Sequence, residues 1–275
     1  MITREMIIEE LRNRGYDAQE NDIYKNGDVK LEAIIIKTEE RITPTIYVQS
    51  IVANAATVEE AANIAEQIYQ QHRVATFDID SLTNSDYIRE HVRIGIEKAG
   101  ASNVDLSRDC EIDDLVQYMY LAAHDPRMGH YSVRITPSLL AAAQLDDDEL
   151  WELAMQNTEN NIRIESMSAV IADIINEELQ DELDDLMPPL YVISNKERFR
   201  GAAGILNRRV LERFAAEHNV KKLVILPSSV HECILVPCHD EDVHIADFDD
   251  MVRSVNAEQV ADDEQLLNRA LVVNF

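Results

Sequence analysis

Cysteine is scarce in this chain. Cys110, Cys233 and Cys238 are the only three, an odd and widely split set that makes no disulfide framework. No run of about 18 apolar residues occurs, which excludes a membrane-spanning helix. The opening stretch, MITREMIIEELRNRG, reads as an acidic amphipathic helix and lacks the apolar core of a signal peptide. Together these absences predict a cytoplasmic protein. The Walker pattern, G-x-G-x-x-G and the nucleophile elbow G-x-S-x-G are missing too. No motif implies a cofactor, and no repeat or low-complexity linker divides the chain.

Positive charge is also in short supply. Lys and Arg number 25 against 52 Asp and Glu, for a formal net charge of -27. Such a balance argues against non-specific nucleic-acid binding and against anionic membrane surfaces. The deficit is uneven, however. Between Leu190 and Lys222, eight basic residues (Lys196, Arg198, Arg200, Arg208, Arg209, Arg213, Lys221, Lys222) face three acids, so this segment carries +5 and the remainder -32. The basic helix is expected to face water or pack on acidic neighbours. The sharper alternative is a site for an anion or an acidic partner.

What is present reads as alternating helices and short strands. Residues 3–14 are helical and end at Gly15. Asn26-Gly27 supplies the positive φ angles of a hairpin turn between two strands, and a third strand over Thr43 to Ile51 completes an antiparallel meander. Thr57 and Glu60 form a capping box for a helix reaching about His72. Val92 to Ile96 alternates as a strand. Asp113 to Ala123 and His130 to Thr136 make a second hairpin turned by residues 124–129. Helices follow at Pro137 to Gln144, at Asp146 to Gln156 with Trp151 as a core anchor, and from Ser166 to about Leu186 with the acidic tail DELDD. Leu190 to Pro237 then reads as strand, helix, strand, turn, strand, and a helix spans Phe248 to Val255. The fold expected is α+β, an N-terminal meander with helices and a C-terminal mixed sheet containing a β-α-β-β unit. Its two lobes would be residues 1–105 and 106–275, with a soft boundary that one compact domain would erase.

Three constellations could carry chemistry. Pro227-Ser228-Ser229-Val230-His231-Glu232 places two hydroxyls, an imidazole and a carboxylate within six residues. A serine nucleophile needs a base in hydrogen-bond reach and a third group to orient that base. Local spacing can set Ser229 beside His231, but Glu232 points to the opposite strand face. His231, Cys233, Cys238, His239 and His244 offer imidazole and thiolate ligands of the kind zinc accepts. Against zinc, no C-x-x-C pair exists and Cys233 lies in an apolar run, where free cysteine acts as a small hydrophobe; no metal is assigned. Gly201-Ala202-Ala203-Gly204 opens a helix after a strand, behind Lys196, Arg198 and Arg200. Helix N-termini bind anions, yet small residues equally let a helix lie close on a sheet.

Thr43-Pro44-Thr45-Ile46-Tyr47, Asp146 to Thr158, Leu190 to Leu206, Leu226 to Pro237 and Val255 to Gln265 occur here in an order that resembles an uncharacterised family of bacterial domains of unknown function, common in anaerobic gut bacteria. The similarity covers nearly the whole chain, and Pro-Ser-Ser-x-His-Glu is its most specific piece. It implies a shared α+β module and no assigned activity or catalytic residue. Cys233 departs from the aliphatic residue usual at its position, and Val-Val-Asn-Phe departs from the family's ending. The reading is a non-enzymatic binding or interaction protein. Its site is Ser228, Ser229, His231 and Glu232 with Lys196, Arg198 and Arg200, and its partner an unidentified protein or a small anionic ligand. The alternative is a hydrolase or phosphate-ligand enzyme using a Ser/His/Arg site in residues 196–232.

Overall fold

A computed structural model describes residues 2–38, 44–73, 82–100, 106–125, 129–175, 188–239 and 244–275. The chain forms two compact units, Met1–Ile79 and Asp80–Phe275. The division falls well before the expected 105/106 boundary. Strand β4 (Val92–Lys98) pairs along its full length with β6 (Leu115–Asp125), so it belongs to the second unit.

The first unit is built from α1 (Arg4–Asn13), β1 (Ala18–Lys25), β2 (Val29–Ile36), β3 (Ile46–Tyr47), α2 (Val48–Val52) and α3 (Val58–Arg73). β1 and β2 pair from Lys25↔Val29 to Ala18↔Ile36, and Asn26 and Gly27 take φ of 44° and 84° in the turn, as the Asn-Gly pair requires. The capping box forms: Thr57 Oγ1 accepts from the Glu60 N–H, and Glu60 reaches back to the Ala56 N–H. The third strand is shorter than expected. Ile46, Val48 and Ile51 are buried while Ser50 is exposed. That three-residue spacing turns the segment helical after Tyr47, because strand alternation would have buried Ser50 instead. Ile7, Leu11, Ile34, Ile36, Ala61 and Ala65 close a core of their own.

The second unit carries two sheets. One is β4, β6, β5 (Arg108–Asp109) and β7 (Gly129–Arg134), with α4 (Ser85–His91) leading into it. The expected second hairpin is β6 and β7, antiparallel from Tyr120↔Arg134 to Asp125↔Gly129; residues 126–128 of its turn lie outside the described residues. Helices α5 (Pro137–Ala143) and α6 (Asp147–Asn161) follow, and Trp151 is buried in the core under the Arg108 guanidinium. Of the long helix, α7 (Met167–Ile175) is described; DELDD lies outside the described residues.

The other sheet has the order β12-β10-β11-β9-β8: Leu271–Asn274, Lys222–Leu226, Cys233–Cys238, Tyr191–Asn195 and Ile162–Ser166. All its ladders are antiparallel, where a mixed sheet was expected. The β-α-β-β unit exists as a short 3-10 helix (Ala202–Leu206) and α8 (Arg208–Glu217) between β9 and β10. These two strands run the same way, but β11 lies between them and removes the parallel contact. Leu223 and Ile225 face the main core and Val224 and Leu226 face α9 (Ile245–Gln259), so the run KLVIL is buried on both sides.

Candidate anion-binding site

The link between β9 and the 3-10 helix carries Arg200. Asn195 braces this loop twice: its side chain donates to the Phe199 carbonyl at 2.6 Å and accepts from the Phe199 N–H at 3.0 Å. Arg198 and Arg200 sit at φ of 50° and 54°, a left-handed conformation that costs a non-glycine residue about 1 kcal/mol or more each. His231 helps to hold it. The imidazole Nδ1 accepts the Arg200 backbone N–H at 3.1 Å, and Nε2 lies 3.3 Å from Glu264 Oε1. Because Nδ1 accepts, the proton of the neutral ring sits on Nε2 and faces the carboxylate. The His231 carbonyl accepts from Gly201 N–H and Ser194 Oγ.

Gly201 is required here by close approach. A Cβ at this position would lie 2.3 Å from the Asn195 backbone nitrogen. Its N–H and that of Ala202 are spent on His231 and Val230 carbonyls, so the start of the 3-10 helix is not an open anion site. The small residues serve tight packing: a Cβ on Gly204 would press on Ile193.

So placed, the Arg200 side chain enters a stacked arrangement on one face of the β4–β6–β7 sheet. Glu97, only 3% exposed, is held by both terminal nitrogens of Arg134 at 2.8 and 2.5 Å. The Arg134 guanidinium lies 3.9 Å above the Tyr118 ring, and the Tyr118 hydroxyl accepts from Arg200 at 2.6 Å. Gly95 lies opposite Tyr118 in the ladder, and a Cβ there would come within 2.7 Å of the ring. Burial pushes the Tyr120 hydroxyl far above the usual phenol range, so it stays protonated and donates to the Arg200 carbonyl.

The charges do not balance. Arg93, Arg134 and Arg200 bring three guanidiniums, and Glu97 is the carboxylate paired among them. Among the described residues no carboxylate stands at ion-pair distance from Arg93 or Arg200. The Nε–H groups of both are buried without a partner, and the two residues line one small cavity of about 10 Å³, room for a single water-sized guest. Arg200 remains partly exposed, its guanidinium 5.7 Å from the centre of the Phe199 ring, which stacks on the exposed His130 with centroids 6.4 Å apart.

Of the seven residues expected to form a site, the fold brings Arg200 and His231 into contact. Ser229 Oγ accepts the His231 backbone N–H at 3.0 Å, making a local turn rather than a nucleophile–base pair. Both imidazole nitrogens are engaged elsewhere, so the Ser229–His231 pairing that catalysis requires is not formed. Arg198 turns away to Glu165 and Asp173, and Lys196 is exposed. Ser228 and Glu232 are half-buried, and the Ser228 carbonyl accepts from Leu266. Cys233 is fully buried, and burial pushes its thiol well above the usual range. No group of three potential metal ligands occurs among the described residues. Sequence reasoning missed Glu97, Arg134, Tyr118 and Arg93. Their one signal was the alternation that puts Tyr118 and Tyr120 on one face of β6.

No helix among the described residues is long and apolar enough to cross a membrane. No curated protein and no solved structure matches the chain. The model of a family of unknown function, DUF5688, matches residues 2–271, nearly the full length, and the chain belongs to that family.

Proposed function

We propose that this protein is a non-enzymatic cytoplasmic binding module that recognises a small anionic group, a carboxylate or a phosphate, through Arg200. One observation carries the reading: a largely buried guanidinium whose side-chain partner is a phenol hydroxyl rather than a carboxylate and whose Nε–H has none. A buried charge without a counter-charge is costly, and an anion would relieve it while gaining charge-assisted hydrogen bonds. The left-handed backbone at Arg200 supports the same reading, since strain kept by the surrounding structure gathers at functional positions. Ser229 and His231 favour binding over hydrolysis, because neither is poised to attack a substrate.

The test is thermal unfolding of wild type and Arg200→Met in phosphate, acetate and citrate, with ionic strength held constant by chloride. A ligand of the folded state raises the wild-type melting temperature with concentration and leaves the variant unmoved. Equal shifts in both proteins, or none with any anion, would overturn the proposal.

A further inference from the structure

The groove beside β12, about 830 Å³ in volume, lies in the second unit and shares no residue with the Arg200 cluster. β12 is an edge strand, paired on one side to β10. The Phe275 N–H bonds to the Lys221 carbonyl, which fixes the alternation along the ladder. Val273 and Leu271 therefore direct their backbone groups at β10, and Val272 and Asn274 direct theirs outward. Arg208 occupies the outward carbonyl of Asn274 at 3.2 Å. The Val272 N–H and C=O have no partner among the described residues, and its side chain is 43% exposed.

The facing wall is acidic. Asp109, Glu111 and Asp113 occupy alternate positions and are all exposed, while Cys110 and Ile112 between them pack against the core. None of the three carboxylates makes an ion pair among the described residues. The cations of the groove are already neutralised: Arg208 pairs with Glu212, and Arg269 reaches Asp114. Unpaired charge in the groove is thus negative.

We infer that this groove takes an extended peptide segment of a partner protein, added as a strand to the open edge of β12, with lysine or arginine side chains reaching Asp109, Glu111 and Asp113. Backbone bonds to Val272 supply the docking, and alternate side chains supply the choice of partner. A second copy of this chain is disfavoured as the occupant, because a net charge of -27 on each molecule opposes approach.

The experiment is fluorescence anisotropy at low salt with a labelled eight-residue peptide alternating lysine and valine. A glutamate–valine counterpart and an N-methylated lysine–valine peptide serve as probes of charge and of backbone pairing. The lysine peptide should bind, the other two should not, and the double variant Glu111→Lys/Asp113→Lys should weaken binding at least tenfold. Val272→Pro should weaken it similarly while circular dichroism shows the fold retained, as proline is tolerated on an edge. Arg200→Met should leave it unchanged, which separates this site from the anion site. Absent binding of the lysine peptide overturns the inference. So does equal binding of the N-methylated peptide, which would reduce the effect to general attraction for an acidic protein, or a dimer in sedimentation that Val272→Pro abolishes.

Discussion

Arg4 in the first unit and Arg200 in the second are both largely removed from water, yet they are satisfied in opposite ways. Arg4 is 8% exposed and donates to Glu20 at 2.8 Å and Asp22 at 2.6 Å, with Lys30 on the second oxygen of Asp22. Its guanidinium has more negative charge around it than it needs. The Nε–H of each is buried without a partner, so the difference lies in charge: Arg200 has a phenol hydroxyl as its side-chain partner and a neighbouring guanidinium at Arg134 that has already taken the one carboxylate. A buried arginine that closes its own charge balance is part of the architecture. One left open is where the proposed anion would bind.

Removing a carboxylate from the second cluster should produce the largest effect on this contrast. Glu97→Gln strips Arg134 of its buried counter-charge and leaves three guanidiniums together, so unfolding in urea should show a loss of about 3 kcal/mol or more. A loss under about 1 kcal/mol would mean that the cluster is already neutralised some other way. The next test sets the two arginines against each other. Arg4→Met breaks two charge-assisted hydrogen bonds and should cost about 2 kcal/mol. Arg200→Met removes an uncompensated charge from a largely buried position and should change stability by less than about 1 kcal/mol, in either direction. If the two variants lose equal stability, the distinction between a structural and a poised arginine fails.

The smallest effect is a pH dependence confined to the first unit's ion pairs. Lys30 and then Arg4 hold Asp22 below the usual carboxylate range, and the Tyr16 hydroxyl followed by Arg14 does the same for Glu66. Both folded values lie below the unfolded ones, so this contribution is complete above about pH 4.5 and fades as pH falls through the lower folded values. Hydrogen exchange followed from pH 5 downward should show amides of β1 less protected in Arg4→Met than in wild type at pH 5, with the gap narrowing as pH falls. Matching profiles would place the acid sensitivity elsewhere.

Much of the fold was legible because it rests on local chemistry. Asn26-Gly27 dictates a turn that needs two positive φ angles, Thr57 and Glu60 satisfy their own helix end, and the alternation of β6 and β7 sorts two faces. The segment after Tyr47 was misread because a short apolar run suits either period, and burial of Val48 and Ile51 settled it. The site was half legible. His231 and Arg200 stood out by composition, but not the Nδ1 contact that joins them across 31 positions. Ser229, chosen for its neighbour, turned out to cap a backbone N–H.

The sequence by itself determined the α+β class, the meander, the second hairpin and the absence of a membrane-spanning helix, since each follows from spacing over a few residues. Tertiary structure alone decided that β11 would lie between β9 and β10, and that Tyr118 would meet Arg200 across 82 positions. It also decided that Glu97 would pair with Arg134 rather than with Arg200. Periodicity tells each strand which side chains share a face. Which faces then meet, and which charge is left without a partner, depends on the packing of distant segments into one core.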